Sequence, residues 1–264
     1  MTAATDVIRY DVVHRVGVVV MQRAEARNAL NSELLAALRK TMAVAAADVT
    51  VDVVVLTGAD PAFCAGLDLK ELGTTGANLR AALPAPGEDP RRGFWERMDK
   101  PVIGAVNGVA VTGGLELALQ CDWLVASERA AFGDTHARVG VMPGGGLTVL
   151  LPQAIGLRRA LEMSLTGNFL SADEALAWGL VNHVVAHADL METALKLARD
   201  VAGIDSRAVR HLLETYRRTT GGTAEAGFEV ERRRGAEFAA SVGFDPASVA
   251  SRRDAIVQRG RGQV

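Results

Sequence analysis

Three glycine-bearing turns in this sequence each follow a predicted strand, and each can place backbone N–H groups in a cleft. Glu116 closes the second turn, three residues after Gly113, so the two residues share one face of the helix predicted there. Apolar residues flank Glu116, a pattern that favours a buried carboxylate able to transfer protons over an ordinary glutamate on a helix surface. The turns are residues 63–69 (FCAGLDL), 107–116 (NGVAVTGGLE) and 142–146 (MPGGG).

Several common catalytic motifs do not occur in the sequence. None of the turns has the order G-x-G-x-x-G or G-x-x-x-x-G-K-[ST], so neither a dinucleotide site nor a P-loop nucleotide site is predicted. The sequence also contains no G-x-S-x-G and no H-E-x-x-H. Its 2 cysteines, Cys64 and Cys121, each lack a second cysteine nearby, and we predict no metal site. Both are interpreted as small buried side chains rather than nucleophiles.

The charge balance argues against nucleic-acid binding. The 264 residues include 29 Lys and Arg and 31 Asp and Glu, so no basic excess is available for phosphate contacts along a duplex. No apolar run approaches the roughly 20 residues needed to span a bilayer, and residues 1–11 lack the pattern of a secretory signal. We therefore expect a cytoplasmic protein that neither spans a membrane nor binds nucleic acid.

Hydrophobic patterning predicts alternating strands and helices, and hence an α/β fold with parallel strands. The sequence is 49% hydrophobic but only 5% aromatic, which suits Val-rich inner strands and Ala- and Leu-rich helices. Residues 73–93, rich in Gly and Pro, are expected to form a mobile surface loop beside a cleft. The predicted strands are residues 12–21, 51–57, 102–106 and 123–126. One predicted helix begins after a cap at Asn31 or Ser32. The other predicted helices are residues 115–119, 190–202, 206–219, 224–240 and 247–259.

Five segments, in order along nearly the whole chain, resemble the signature segments of the enoyl-CoA hydratase/isomerase (crotonase) superfamily. Any one of them is a weak signal, but five in the same order are specific. They are residues 23–30 (RAEARNAL), 62–70 (AFCAGLDLK), 101–122 (PVIGAVNGVAVTGGLELALQCD), 132–146 (FGDTHARVGVMPGGG), and 165–167 (LTG) continuing to 175–182 (ALAWGLVN).

The resemblance implies an acyl-CoA thioester as substrate and a backbone oxyanion hole that stabilises its enolate. By position, the two N–H donors are those of Leu67 and Gly113, and Gly66, Gly113 and Gly114 let the backbone approach the thioester oxygen. The helix that begins near Gly113 adds partial positive charge where the oxyanion develops. The other residues that the resemblance assigns to the CoA ester are Arg23, Arg27, Ala65, Asp68, Leu69 and Lys70, the basic ones as candidates for CoA phosphates.

The sequence departs from the family pattern at one catalytic position. Glu116 matches the first of the two glutamates of family hydratases, which can hold and activate a water. The second glutamate lies four residues after the phenylalanine that corresponds to Phe132, and here that position is His136. An imidazole can also transfer protons near neutral pH, so His136 is either the second acid or a structural histidine. Asp134, out of phase in an extended segment, is expected to face elsewhere.

The resemblance implies a crotonase-type spiral of ββα units over residues 1–187 and a helical C-terminal region, 188–264, that supports trimers or hexamers. The reaction it favours is hydration of a 2-enoyl-CoA to a 3-hydroxyacyl-CoA, with no cofactor beyond the coenzyme A of the substrate. Three other reactions on the same oxyanion hole stay open, namely isomerisation, acyl-CoA hydrolysis and decarboxylation. A catalytically weak acyl-CoA-binding protein is the alternative from another class, and His136 is the feature that favours it.

Overall fold

The structure is a computed structural model that describes residues 3–83, 93–220 and 222–242. By its internal contacts the chain divides into two units, Met1–Ser206 and Arg207–Val264. The strands are β1 (Ala3–Thr5), β2 (Ile8–Val13), β3 (Val16–Met21), β4 (Val53–Gly58), β5 (Ala62–Cys64), β6 (Val102–Val106), β7 (Val109–Val111), β8 (Trp123–Ser127), β9 (Ala131–Gly133), β10 (Phe169–Ser171) and β11 (His183–Val185).

The helices lie between and after these strands. They are α1 (Ser32–Ala47), α2 (Leu69–Thr74), α3 (Ala77–Ala82), α4 (Gly113–Gln120), α5 (His136–Val139), α6 (Leu147–Ile155), α7 (Leu157–Thr166), α8 (Ala172–Trp178), α9 (Leu190–Ala202), α10 (Ser206–Thr219) and α11 (Ala224–Val242). Among the described residues, no helix combines the length and the apolar character needed to cross a membrane.

Two sheets organise the first unit. One has the strand order β1-β2-β3-β4-β6-β8-β11, and the other has the order β10-β9-β7-β5. Successive strand pairs, β4 and β5, β6 and β7, then β8 and β9, contribute one strand to each sheet, and all neighbours among them pair in parallel. This repeated crossing between sheets confirms the predicted α/β spiral of ββα units, and it brings the chain segments that follow β5, β7 and β9 to one region.

The larger sheet is covered on both faces. Alternate residues of β3 and β4 belong to different core clusters: Val19 and Leu56 pack with α1 and α4, whereas Val20 and Val55 pack with α9. This period of two, on strands that are buried at every position, is typical of an inner parallel sheet. Each fully buried Val or Leu stabilises the fold by about 1.5–3 kcal/mol, so this sheet is a main source of the stability of the first unit.

The predicted strand at 12–21 is wrong in its extent, because the structure has a hairpin there. β2 and β3 are antiparallel and joined at His14 and Arg15, whose φ values are 47° and 66°. A tight hairpin turn needs positive φ at both central residues, and glycine or asparagine usually marks it. Here the turn residues are neither, so the apolar run concealed the turn.

The loop predicted at 73–93 also needs correction. Residues 77–82 form α3, which packs against α1, and residues 84–92 lie outside the described residues. The helix consists mainly of Ala, Leu and Arg, which are good helix formers, and the glycines and prolines around it dominated the sequence pattern. The helix predicted at 247–259 lies outside the described residues as well.

The C-terminal helices match the sequence pattern closely, although they do not all belong to one unit. α9 packs on β3, β4, β6 and β8 and is part of the first unit, whereas the second unit contains α10 and α11. The sequence instead predicts α9 to be part of the C-terminal region of residues 188–264. In α11, Arg232 and Arg233 have exposed side chains beside Glu229 and Glu237, as expected of a solvated helix face.

Candidate active site

The backbone around Leu67 follows β5 and is fixed by a short bridge to Leu30. Leu30 N donates to Gly66 O at 2.7 Å, and Asp68 N donates to Leu30 O at 3.0 Å, so the Leu67 N–H points away from Leu30. Gly66 has φ +87°, and a Cβ built on it would lie 2.7 Å from Val111 O. Only glycine fits this left-handed position so close to a neighbouring strand.

Gly113, the first residue of α4, follows a strained residue. Thr112 has φ 56° and ψ −112°, a region that threonine rarely occupies. Hydrogen bonds hold it there: Thr112 N donates to Gly133 O at 2.8 Å, and the Oγ1 atoms of Thr112 and Thr135 lie 2.6 Å apart. The backbone conformation of Thr112 sets the direction in which the Gly113 N–H points at the start of the helix.

The two backbone donors come close together. A side-chain carbon built on Gly113 would lie 3.7 Å from Leu67 N. Neither N–H donates a hydrogen bond to another residue in the described part of the chain. Both residues line one small cavity of about 20 Å³, which Glu116 and His136 also line. The structure thus brings together the four residues predicted as catalytic.

Glu116 is a buried carboxylate, with 3% of its surface exposed. Its Oε1 accepts hydrogen bonds from Gly145 N at 2.7 Å and Leu147 N at 3.4 Å. Burial raises the pKa of Glu116 above its ordinary value, although His136 and these N–H groups act in the opposite direction. These two hydrogen bonds fix Oε1 of Glu116. The other oxygen, Oε2, is the atom that faces His136.

Gly145 allows the loop after α5 to reach this carboxylate. A Cβ on Gly145 would lie 2.7 Å from Cε2 of Phe94, closer than Cβ atoms approach in proteins, and 3.0 Å from Cδ of Glu116, a tight contact that the glutamate must move to relieve. Gly114 has a similar role behind the site, since a Cβ there would lie 2.0 Å from Cys64 O. These glycines are required by close approach rather than by turn geometry.

His136 links Glu116 to a second carboxylate. Its Nε2 lies 3.7 Å from Glu116 Oε2, and its Nδ1 lies 2.6 Å from Asp134 Oδ1. The His136 backbone N–H donates to the same Asp134 oxygen at 3.1 Å. The expectation that Asp134 faces elsewhere is wrong, because strand β9 ends at Gly133 and the alternation of a strand no longer applies.

The surroundings of Asp134 favour its ionised form. It is only 2% exposed, and burial acts to raise the pKa of Asp134. Hydrogen bonds from His136 and Ser164 outweigh burial, so the pKa of this carboxyl lies below its ordinary value. A buried carboxylate needs such partners, since an unpaired one costs several kcal/mol.

A larger cavity of about 250 Å³ adjoins the small one, and His136, Val141 and Met142 line both. Aliphatic side chains from α6 and α7 form much of its wall, and its polar side chains include those of Asp134, His136 and Ser164. A largely apolar cavity with a few polar groups at one end is typical of a small-molecule site.

The residues predicted to contact the CoA portion are spread around α2 and the segment before α1. The Arg23 guanidinium lies 3.0 Å from Asp68 Oδ2 and also donates to Ala29 O, so this arginine stabilises the junction of two loops. Asp68 caps α2 through Lys70 N and Glu71 N. The remaining members of this group are the exposed Arg27, Leu69 and Lys70 and the half-buried Ala65.

Other nucleophile-like groups lie away from the cavity. Burial raises the pKa of the Cys64 thiol to about 12, and Cys121 is also buried. His187 joins Ser127 and Asp60 at 3.0 and 3.1 Å, in the order of a hydrolase triad. However, Ser127 is fully buried and its Oγ also accepts from Arg129 N, so the arrangement connects loops rather than presenting a nucleophile. Among the described residues, no cluster of His, Cys, Asp and Glu could hold a metal ion.

Sequence reasoning missed several residues that shape the site. Thr112 and Thr135 gave no signal, because their contact joins segments far apart in sequence. Asp134 did carry one: an aspartate two residues before a histidine can accept from both its backbone N–H and its ring, as an Asx turn does. The need for glycine at position 145 depends on tertiary contact with Phe94 and Glu116, which no local pattern shows.

Comparisons with known proteins find relatives along most of the chain. The chain matches the family described as "Enoyl-CoA hydratase/isomerase" over residues 12–245. It is 38% identical over 222 residues to a probable enoyl-CoA hydratase of Rhizobium meliloti, covering 83% of this chain and 84% of the relative. It is 38% identical over 221 residues to the 2,3-dehydroadipyl-CoA hydratase of Escherichia coli, covering 83% and 84%.

A solved structure gives the same result. The fold superposes on the crystal structure of an enoyl-CoA hydratase from Mycobacterium tuberculosis with a TM-score of 0.75 and 48% sequence identity, covering 88% of this chain and 99% of that one. The spiral of two sheets and the matches along most of the sequence lead to one conclusion: the chain belongs to the enoyl-CoA hydratase/isomerase family and has the crotonase fold.

Proposed function

We propose that this protein hydrates a 2-enoyl-CoA to a 3-hydroxyacyl-CoA, with Glu116 and His136 as its two proton-transfer groups. The observation that carries the proposal is the 3.7 Å between Glu116 Oε2 and His136 Nε2, beside the N–H groups of Leu67 and Gly113. A water oxygen about 2.8 Å from each of these two atoms fits between them. Such a water is held by a base and an acid at once.

The proton balance of hydration uses both side chains. Glu116, as carboxylate, accepts a proton from the water while the water oxygen bonds to C3 of the enoyl group. The electron pair of the double bond moves to the thioester oxygen, and C2 of the enolate then takes a proton from Nε2 of protonated His136. Transfer of the proton from Glu116 back to His136 restores the starting state. No redox or metal cofactor enters these steps.

The two backbone donors stabilise the enolate oxygen. They belong to residues fixed by the Leu30 bridge and by the strained Thr112, so little reorganisation is needed when charge develops. One such donor typically contributes about 3–4 kcal/mol to transition-state stabilisation. The N-terminus of α4 adds to the effect, because Gly113 is its first residue.

We infer that the larger cavity binds the acyl group of the substrate. Its largely apolar wall, close to His136, suits an aliphatic or aromatic acyl chain better than one that ends in a carboxylate. Two relatives differ from this expectation by name, since a 2,3-dehydroadipyl-CoA hydratase and an (E)-benzylidenesuccinyl-CoA hydratase both act on acyl groups that carry a carboxylate. We infer an uncharged acyl chain here, held with its thioester at the small cavity. Contacts of Lys70, Arg23 and Arg27 with the CoA portion, and assembly into trimers or hexamers, belong to the same proposal.

The proposal is tested by incubating the purified protein with 2-enoyl-CoAs of increasing chain length and following the loss of the conjugated thioester absorbance. Hydration that disappears in Glu116→Gln and falls strongly in His136→Ala supports it. Measurable CoA-ester binding without turnover at any chain length would instead indicate an acyl-CoA-binding protein. Release of free CoA, loss of CO2 or a shifted double bond would identify the hydrolase, decarboxylase or isomerase alternatives.

A further inference from the structure

Asp134 occupies a position from which it can control the orientation and protonation of His136. One of its oxygens, Oδ1, is the partner of both the ring Nδ1 at 2.6 Å and the backbone N–H at 3.1 Å. These two contacts fix the ring relative to its own backbone. The remaining ring nitrogen, Nε2, is therefore directed toward Glu116 Oε2, 3.7 Å away.

The chemistry of a carboxylate determines which ring nitrogen carries hydrogen. An ionised aspartate is an acceptor only, so the nitrogen that contacts it must be the donor. With Nδ1–H donating to Asp134, neutral His136 carries no hydrogen on Nε2, and protonation of the ring adds the transferable proton at Nε2. A hydrogen-bonded carboxylate fixes the tautomer of a catalytic histidine in this way in other enzymes.

The charged groups around the imidazole are few. From α4 it faces Glu116, and from the segment before α5 it faces Asp134. Ser164, on α7, forms a side-chain hydrogen bond with Asp134, which lowers the pKa of that carboxyl. In the described part of the chain no Lys or Arg forms an ion pair with any of these three side chains. The order Ser164, Asp134, His136, Glu116 is thus a single chain of polar contacts that ends at the cleft.

We propose that Asp134 is a positioning residue for this reaction: it holds His136 in the Nδ1–H tautomer with Nε2 facing Glu116, and Ser164 fixes Asp134 in turn. The effect of Asp134 on catalysis rests on the proposed hydration. The tautomer of His136 does not depend on substrate and can be observed in its absence. It also explains how a histidine can stand where the family pattern has glutamate. A flexible, unpaired imidazole at position 136 would not present one nitrogen to the cleft.

The first test is direct observation of the His136 ring by two-bond ¹H–¹⁵N NMR in the full-length protein without substrate, over a pH series that reaches the neutral imidazole, because only the neutral ring has a tautomer. The signals of His136 are identified by their loss in His136→Gln. We expect the Nδ1–H tautomer in the wild-type protein and in Asp173→Asn, a control at an exposed aspartate on α8. Asp134→Ala should give a mixture of tautomers. An Nε2–H tautomer in the wild-type protein would overturn the inference.

The second test is kinetic and uses a graded set of variants. We expect Asp134→Ala to lower kcat about 100-fold with KM changed little, since misplacing a catalytic group by about 1 Å has this effect. Asp134→Asn retains an acceptor oxygen and should recover part of kcat, and Ser164→Ala should lower kcat several-fold. If Asp134→Ala proves unstable, Asp134→Asn and Ser164→Ala still decide the question. Wild-type kcat in all three folded variants would overturn the positioning role.

The two tests separate this inference from the proposed function. If the wild-type protein hydrates no enoyl-CoA, the proposed function fails, and the NMR result still supports or overturns the tautomer assignment. If the wild-type protein is active but the Asp134 variants are unaffected in both tests, hydration stands and the inference fails.

Discussion

Oε2 of Glu116 lies 3.7 Å from Nε2 of His136, too far for a hydrogen bond and close enough for both atoms to contact one intervening oxygen. The opposite side of each group is occupied: Gly145 N binds Oε1 of the glutamate, and Asp134 binds Nδ1 of the histidine. Each side chain therefore has one atom that faces the cleft. This relationship between a buried acid and a buried base is the basis of the following predictions.

Replacement of Glu116 by glutamine should abolish activity and stabilise the protein. Gln retains an oxygen for Gly145 N and Leu147 N, so the local structure is preserved, but it cannot accept a proton. We expect the rate of hydration to fall about 10²–10⁴-fold, which is the usual contribution of general acid–base catalysis. Thermal unfolding should show a gain of about 0.5–2 kcal/mol at neutral pH, as is common when a functional strain is removed. A near-wild-type rate would remove Glu116 from its role.

The stability gain of Glu116→Gln should depend on pH in a definite direction. Burial raises the pKa of Glu116 in the folded protein above the ordinary value of 4.5. At a pH between the ordinary pKa and the raised pKa of the folded protein, Glu116 is ionised in the unfolded chain and protonated in the folded one. The wild-type protein therefore loses stability as the pH rises through this range. The variant lacks this effect. Its advantage should be absent below about pH 4 and should grow above pH 4.5; a pH-independent difference would contradict the raised pKa.

Gly145→Ala should impair catalysis by displacing the carboxylate. The added Cβ would lie 2.7 Å from Phe94 and 3.0 Å from Glu116 Cδ, so one of these side chains must move. We expect kcat to fall about 100-fold, because a shift of about 1 Å at a catalytic group has this effect. Gly73→Ala is the matched control: a Cβ at Gly73, in α2, meets nothing within 4 Å, and its kcat should not change. Equal kcat in the two variants would show that Glu116 tolerates the displacement.

The parts of this fold that depend on local pattern were predictable. β6 and the helices α9 and α10 have the bounds that the sequence indicated, and Asn31, one of two residues predicted to cap α1, accepts a hydrogen bond from Leu34 N. Each of these elements combines a strong hydrophobic period with a clear boundary residue. The turn at His14 and Arg15 has no such boundary residue, and it was missed.

The site was only partly predictable for the same reason. Leu67, Gly113, Glu116 and His136 lie in segments whose order along the chain resembles a family, and the structure brings them to one cavity. The link from His136 to Asp134 depends on where strand β9 ends, which shifts the direction of every later side chain. The boundary of an element is the least certain part of a sequence-based assignment, so Asp134 was placed on the wrong side.

His136→Glu should destabilise the protein unless Asp134 is changed as well. The substitution removes the partner of the buried Asp134 and adds a third carboxylate beside Glu116. Loss of one partner from a buried charge pair costs about 3–5 kcal/mol. The double variant His136→Glu with Asp134→Asn should recover most of this loss in denaturant unfolding, and it should retain hydration because two glutamates match the family pattern. Additive effects in the double-mutant cycle would show that the two positions are not coupled.

Lys70→Ala should weaken substrate binding without affecting the chemical step. Lys70 is exposed at the start of α2, next to the segment that carries Leu67, so a contact with a CoA phosphate is a contact at the surface. An exposed ion pair contributes about 0.2–1 kcal/mol, which corresponds to a KM raised up to about five-fold with kcat unchanged. The increase should shrink as salt is added, because surface charges are screened. Lys40→Ala is the control, an exposed lysine on α1 whose loss should leave KM and its salt dependence as in the wild-type protein; the same change in KM for both variants would contradict a specific role for Lys70.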